Sequence, residues 1–226
     1  MSTLLAFDHV SLVLGGARLL DHIDLALEPG ERVAIIGESG AGKGWLLKLA
    51  LGLTPPSSGT VTLMGTALAD ADARRLARAR CGVAMQGGSL LGDLSVEENM
   101  RLALGTAGPR AARRIDRLLL EFSLEQAAAT RADALSVGER RRAELARAFV
   151  RDPELLILDE PFEGAFARGD ALEAQVRRRI VPQKRALLLL TQDDALAARL
   201  CTRVYRLERG RLLQQAAADT VPAATS

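Results

Sequence analysis

The chain has 226 residues, 48% of them hydrophobic, and its 30 basic and 28 acidic side chains give a net charge of +2. This length allows one sizeable buried core, and the near-balanced charge excludes a general attraction to nucleic acid or anionic lipid. The longest purely apolar run near the end, 186–190, is far too short to cross a bilayer, and the first residues do not resemble a signal peptide.

In chain order, short apolar and β-branched runs predict strands, with a turn at Gly15-Gly16 between the second and third. These strands are 4–7, 10–14, 23–27, 32–36, 60–64, 155–158 and 186–190, followed by a hairpin near 203–214. Helical periodicity predicts helices at 45–53, 70–80, 110–129, 139–151, 170–180 and 193–200. The Ala-rich tail, 215–226, is expected to fray. Cys81 and Cys201 have no metal-type spacing and are interpreted as reduced thiols of a cytosolic protein.

A glycine-rich segment between the strand at 32–36 and the next helix matches the phosphate-loop pattern G-x-x-x-x-G-K. Its residues are Gly37, Glu38, Ser39, Gly40, Ala41, Gly42 and Lys43, and the expected phosphate-binding segment continues through Gly44 and Trp45. Glycines allow successive backbone N–H groups to turn toward phosphate oxygens, and the positive end of the following helix favours the same anion. Lys43 is expected to reach the β- and γ-phosphates, so the segment predicts ATP binding.

The position after Lys43 departs from this pattern. It is usually Ser or Thr, whose hydroxyl binds Mg²⁺, but here it is Gly44, followed by Trp45. The backbone cradle does not depend on that side chain, and a water can take the vacant coordination position because Mg²⁺ readily keeps waters. We expect weaker Mg²⁺ binding and slower hydrolysis, with nucleotide binding less affected.

An apolar strand at 155–158 ends in two acidic residues, Asp159 and Glu160. In a phosphate-loop protein this strand lies beside the loop, so Asp159 is expected to hold Mg²⁺. Glu160, one residue further, is expected to polarise the attacking water. By itself the pattern is also compatible with a strand that simply leaves the core, and the following Pro161 stops the strand in either case.

Between these motifs, residues 135–139 read Leu-Ser-Val-Gly-Glu and precede a strongly patterned helix. This segment resembles the L-S-G-G-Q signature of ABC ATPases, and the resemblance extends over roughly 4–214. It implies an α/β P-loop NTPase core in a single nucleotide-binding domain, 1–226. It also implies an antiparallel β subdomain near 1–30 and 60–65 and a helical subdomain near 88–148. The signature residues that would act on the partner's ATP are Ser136, Val137, Gly138 and Glu139.

The same signature segment has an ordinary structural interpretation. Ser136 can serve as a helix N-cap, and Glu139 can complete a capping box three residues later. Both interpretations can hold together.

The resemblance assigns further positions. Gln86 matches a glutamine that senses Mg²⁺ and the γ-phosphate, and Gln192 stands where the family usually has a switch histidine. Gln192 can donate a hydrogen bond but cannot carry a proton charge. The segment up to Phe166 lacks an aspartate that couples the two sites of the dimer. Leu14 stands where an aromatic residue usually stacks on adenine.

ABC subunits are expected to work as dimers bound to an integral membrane permease, with ATP and Mg²⁺ as cofactors and no nucleic acid partner. The chain would then be cytoplasmic and peripheral on the inner face of the membrane. Because Gly44, Gln192 and the missing aspartate depart from the family pattern, the chain could form a homodimer or a heterodimer. It could also be a non-hydrolysing regulatory subunit beside a competent partner. A soluble ABC protein outside transport is the other alternative, disfavoured by the single compact domain.

Two stretches suggest a branch of the family. Residues 86–100 and the sequence D-E-P-F-E-G at 159–164 are similar to the ATPases of Mce/Mla-type bacterial lipid transporters. That resemblance implies a lipid cargo and a periplasmic lipid-binding protein in the same complex.

Overall fold

The computed structural model describes residues 3–68, 71–163, 169–181 and 185–215. Their strands are β1 Leu5–Leu14, β2 Ala17–Leu27, β3 Arg32–Ile36, β4 Ser58–Leu63, β5 Thr66–Ala67, β6 Cys81–Ala84, β7 Leu155–Asp159, β8 Ala186–Thr191, β9 Arg203–Glu208 and β10 Arg211–Gln214. Their α-helices are α1 Lys43–Ala50, α2 Ala71–Ala79, α3 Val96–Leu104, α4 Pro109–Glu121, α5 Val137–Phe149, α6 Gly169–Ile180 and α7 Asp194–Leu200. None of these helices is long and apolar enough to span a bilayer.

Six strands form the central sheet in the order β10-β9-β3-β8-β7-β6. Neighbouring strands from β9 to β6 pair in parallel, and β10 closes the edge as an antiparallel hairpin with β9. The P-loop core with a parallel sheet, predicted from the sequence, is confirmed.

The central sheet is buried on both faces. Along β3, Ala34 and Ile36 belong to a core formed with α3 to α7, whereas Val33 and Ile35 belong to a second core formed with α1 and the antiparallel sheet. The same alternation continues in β7 and β8. Two-sided burial explains why these strands are continuous apolar runs rather than alternating ones.

The second sheet is antiparallel, with the order β2-β1-β4-β5, as the predicted β subdomain requires. Three short strands were predicted before residue 28, and this number was wrong. The segment contains two long strands, β1 and β2. The predicted break after 4–7 is a register shift within β1, where His9 has a φ of 50°. A bulge of this kind interrupts the apolar alternation without ending the strand.

Several predicted helix boundaries were wrong. Helix α1 begins two residues earlier than expected, at Lys43, and ends before Gly52, whose φ of 59° is left-handed. Helix α4 ends at Glu121 rather than at 129, because Ser123 has a φ of 54° and hydrogen-bonded turns follow. The Ala-rich composition after residue 121 suits a helix, but tertiary contacts select turns there.

Three of these elements were missed, and one of them, β5 Thr66–Ala67, has only two residues. Strand β6 is short and contains Gly82, whose position leaves no room for a side chain beside the carbonyl of Ala148. Helix α3 begins with a capping box between Ser95 and Glu98. Phe166 and the tail beyond 215 lie outside the described residues.

Candidate functional site

The five parallel strands end side by side at one edge of the central sheet. Ile36 of β3 pairs with Thr191 of β8, and Leu190 of β8 pairs with Asp159 of β7. The backbone N–H of Gly37 donates to the carbonyl of Thr191 at 3.2 Å, which joins the glycine-rich loop to the end of β8. The carboxyl edge of such a sheet is the usual ligand position in open α/β folds.

The loop 37–42 needs glycine at particular places. Gly40 and Gly42 have φ angles of 81° and 109°, which side-chain-bearing residues rarely adopt. A Cβ on Gly37 would lie 3.1 Å from the carbonyl oxygen of Leu207. Gly42 is the N-cap of α1 and no side chain caps this helix, so its first N–H groups remain available to an anion.

Lys43 is folded back onto the loop that precedes it. Its ammonium donates to the carbonyl of Gly37 at 2.6 Å and to that of Glu38 at 3.1 Å. The same nitrogen lies 3.4 Å from Oε1 of Glu160. A buried cation held mainly by neutral carbonyls can exchange them for phosphate oxygens at little structural cost.

Glu160 occupies an unusual backbone conformation, with a φ of 44°. Its N–H donates to the carbonyl of Leu190 at 2.9 Å, and its own carbonyl accepts from Nη2 of Arg141. The hydroxyl of Thr191 donates to Oε2 at 3.0 Å, while the buried Oε1 accepts no hydrogen bond among the described residues. One carboxylate oxygen is thus anchored and the other is left for a ligand or a water.

Asp159 is buried beside this carboxylate. Burial raises its pKa, and the backbone N–H of Gln86, which donates to the carboxylate, opposes that shift. Mg²⁺ prefers oxygen ligands and few protein groups. The residues at this edge fit such an ion, since they include the Asp159 carboxylate and the amide oxygen of Gln86.

The predicted glutamines are placed differently from each other. Gln86 follows β6 next to Asp159, and its side-chain amide donates to Glu163 at 2.8 Å. Gln192 lies just beyond β8 but is exposed, and its side chain makes no hydrogen bond within the described chain. The edge therefore assembles Lys43, Asp159, Glu160 and Gln86, and it does not bring the Gln192 side chain into the same network.

The two residues after the lysine differ in their surroundings. A Cβ on Gly44 would meet no atom within 4 Å. Trp45 is partly buried against the second core, and the ammonium of Lys48 lies 4.1 Å from its ring centroid. Around the loop, 37–41 and 206–209 line an open cleft of about 410 Å³.

The signature segment begins α5. Ser136 caps the helix by accepting from the N–H of Glu139 at 3.3 Å, and its N–H donates to the Glu139 carboxylate at 3.0 Å. The predicted capping box is confirmed. Val137 is 68% exposed, and no hydrogen bond or ion pair in the described chain joins 136–139 to the phosphate loop. This segment faces solvent.

Three residues of the site were missed from the sequence: Thr191, Arg141 and Glu163. Thr191 is a lone hydroxyl at the end of an apolar strand, and that position was the available signal. Arg141 forms a buried ion pair of 2.8 Å with Glu144, three residues later. The spacing was visible, but the packing of α5 against Glu160 was not.

Comparisons with known proteins agree with this geometry. The family model described as "ABC transporter" matches residues 20–163, more than half of the chain. Nod factor export ATP-binding protein I of Cupriavidus metallidurans is 34% identical over 218 residues, which cover 95% of this chain and 71% of the relative. Fe(3+) ions import ATP-binding protein FbpC 2 of Rhodococcus jostii is 39% identical over 222 residues, covering 95% of this chain and 62% of the relative.

Among solved structures, the fold is similar to that of the ATP-binding cassette MJ0796, described as a post-hydrolysis dimer bound to ADP and Pi. The TM-score is 0.86 at 23% identity, covering 93% of this chain and 97% of that one. At this identity the similarity concerns the fold alone.

Proposed function

Because this chain belongs to the ABC transporter family, we propose that it is the ATP-binding subunit of a membrane transporter. It would bind ATP at the phosphate loop and couple binding and slow hydrolysis to an integral membrane permease. The observation that carries this proposal is the convergence of Lys43, Asp159 and Glu160 where β3, β8 and β7 end side by side. A strand leaving the core by chance would not bring these three groups together.

Each group has a distinct task in this proposal. The loop N–H groups and α1 hold the phosphates, and Lys43 exchanges its carbonyl partners for β- and γ-phosphate oxygens. Asp159 and Gln86 would hold Mg²⁺, which when bound neutralises charge developing on the phosphates. Glu160, anchored through Oε2, would orient and polarise the attacking water with Oε1.

We propose that the exposed signature segment acts on a second subunit. Ser136 to Glu139 present a helix N-terminus to solvent, which is a ready anion site. A face-to-face dimer would place that N-terminus on the partner's ATP, and the solved MJ0796 cassette is itself dimeric. Homodimer and heterodimer both satisfy this geometry. In either, the subunit would lie at the cytoplasmic face of the membrane through its permease.

A regulatory, non-hydrolysing role is the second candidate, and Gly44 favours it. Two polar groups that would assist hydrolysis are then lacking. Gly44 supplies no hydroxyl to Mg²⁺, and the Gln192 side chain does not join the hydrogen-bond network around Glu160. Each such loss costs on the order of a hundredfold in rate. In a heterodimer, the signature of this chain would complete a competent site on the partner while its own site holds ATP.

The proposed cargo rests on sequence resemblance alone. Lipid is suggested by 86–100 and by 159–164, together with a periplasmic lipid-binding partner. The relatives above are named for Nod factor export and for Fe(3+) import. Since those two names also give opposite directions of transport, similarity to them assigns neither cargo nor direction.

The test uses Trp45, the sole tryptophan, two residues beyond Lys43. ATP is titrated into the purified chain with and without Mg²⁺, while tryptophan fluorescence and phosphate release are recorded. Saturable quenching lost in Lys43→Ala supports ATP binding at the loop, and no quenching would contradict it. Little phosphate release favours the regulatory role, whereas brisk Mg²⁺-dependent release favours hydrolysis by this chain. Co-purification with ribosomes and no integral membrane protein would favour the alternative outside transport.

A further inference from the structure

A second cleft, of about 530 Å³, lies at the opposite edge of the central sheet from the phosphate loop. Asp152 and Arg185 in its wall precede β7 and β8, so they mark the amino ends of these strands. Helices α4 and α6 form the other walls. Nothing in the proposed ATP site uses this cleft.

The cleft has an unusual excess of positive charge. Five arginines line it, Arg114, Arg117, Arg178, Arg179 and Arg185, against two acidic residues, Glu121 and Asp152. Five minus two leaves three positive charges, more than the +2 of the whole chain. The remaining residues of the chain therefore sum to one negative charge, so this cleft is a local excess of positive charge on a nearly balanced protein.

The acidic residues do not neutralise every arginine. Arg179 pairs with Glu121, and Arg185 pairs with Asp152. Arg117 and Arg178, exposed at the rim, make no ion pair or hydrogen bond within the described residues. Their guanidinium groups remain available to an anion.

Arg114 is held in place by the backbone. Its side chain donates to the carbonyls of Phe149 and Val150, and it lies 3.6 Å from Asp152. It is therefore a cation held in one orientation beside the two exposed arginines of the rim.

Arg185 supplies an independent observation that points to an anionic ligand. Its side chain is only 8% exposed, and its buried Nη1 has no hydrogen-bond acceptor among the described residues. The guanidinium lies 5.8 Å from the Phe149 ring centroid, and that of Arg179 lies 5.3 Å from it. Two guanidinium groups packed on one ring repel each other, and an unsatisfied buried donor calls for an anion or a water.

We propose that this cleft binds a phosphate-bearing anion, either a free phosphorylated small molecule or a lipid headgroup. The planar guanidinium presents paired N–H donors that match phosphate oxygens, and several arginines converge where three positive charges are uncompensated. A diphosphate supplies the opposing charge and fits the volume. The site is separate from the phosphate loop, so the proposal does not depend on the ATP site.

The experiment measures pyrophosphate binding by calorimetry with the phosphate loop already saturated by a non-hydrolysable ATP analogue. The test variant is Arg117→Ala/Arg178→Ala, which removes the two unpaired rim cations and leaves no carboxylate unpaired. The matched control is Arg113→Ala/Arg177→Ala, which removes exposed arginines from the same helices outside the cleft. Both double variants have the same net charge. A parallel arm measures binding to phosphatidylcholine vesicles with and without phosphatidic acid.

We expect the test variant to weaken binding more than tenfold and the control to leave it within about twofold of the original chain. This pattern with pyrophosphate identifies a free phosphorylated ligand, and the same pattern only with phosphatidic acid vesicles identifies a headgroup. Equal binding by the two double variants, or no binding in either arm, would overturn the proposal. Circular dichroism of both variants confirms that they remain folded.

Discussion

The ammonium nitrogen of Lys43 lies 3.4 Å from Oε1 of Glu160, and both side chains are more than nine-tenths buried. The two residues come from separate sequence motifs, 117 positions apart, and they neutralise each other before any nucleotide is present. Removing either side chain would leave the other as an unpaired group in a buried position, which is costly. This pair links the stability of the fold to the chemistry of the site.

Removing one member of the pair should reveal that dependence. We expect Lys43→Met to lower the free energy of unfolding by about 3 kcal/mol, since it leaves Glu160 as a buried unpaired carboxylate. The double variant Lys43→Met/Glu160→Gln should lose less than the sum of the single losses. Urea denaturation of the four proteins gives the coupling energy, and strict additivity would show that the pair does not interact.

A hydroxyl introduced after Lys43 should raise Mg²⁺-dependent turnover. A side chain at Gly44 meets nothing within 4 Å, so Gly44→Ser adds an oxygen ligand without displacing the loop. We expect phosphate release to increase by about tenfold to a hundredfold. Gly44→Ala is the matched control, because it adds the Cβ and raises helix propensity at least as much as serine does, but brings no oxygen. Equal rates for the two variants would mean that the missing hydroxyl does not limit hydrolysis.

The Thr191 hydroxyl should matter through the orientation of Glu160. Thr191→Val keeps the shape of the side chain but removes the donor to Oε2. We expect phosphate release to fall about tenfold, the equivalent of one hydrogen bond, while ATP affinity changes little. Thr191→Ser should retain most of the rate. Loss of ATP affinity in Thr191→Val, followed by Trp45 fluorescence, would instead indicate a disturbed loop.

The two interpretations of Ser136 can be separated. Ser136→Ala should destabilise the chain by about 1 kcal/mol because the helix loses its N-cap, whereas Ser136→Asn should keep nearly full stability. Both variants should lower turnover of the assembled dimer if the hydroxyl also contacts the partner's ATP. Thermal unfolding and phosphate release are measured side by side. Full turnover by Ser136→Asn would leave only the capping role.

Asp21 should give the fold part of its acid sensitivity. Its carboxylate accepts from Nε and Nη2 of Arg211 at 2.9 and 2.7 Å and also contacts His22 and Arg18. These contacts, that of Arg211 first, hold its pKa well below the usual range. A depressed pKa stabilises the fold above the unfolded pKa of about 4 and loses that effect as pH falls further.

The original chain should therefore have a higher free energy of unfolding than Asp21→Asn. This difference should be constant near neutral pH and shrink below about pH 4. Chemical denaturation at pH 7, 5, 4 and 3 measures it. Asp24→Asn, on the same strand and without an arginine partner in the described chain, is the control for the substitution itself.

Much of this protein is predictable from local pattern. The strand at 32–36 and the final hairpin were located correctly, because apolar runs, glycines and turn residues act over a few positions. The phosphate loop and the capping box of Ser136 were readable for the same reason. The end of α4 was not, since Ala-rich sequence permits a helix that the fold stops at Glu121.

Assembly of the site was decided by tertiary structure alone. Thr191 meets Glu160 only because β7 and β8 pair in one register, and Arg141 reaches the Glu160 carbonyl only because α5 packs there. The arginine cleft likewise draws on α4, α6 and the start of β8, which are far apart in sequence. Sequence by itself determined which backbone segments form, because those choices are local. Which side chains become partners depended on strand register and helix packing, since these long-range contacts exist only once the whole chain is folded.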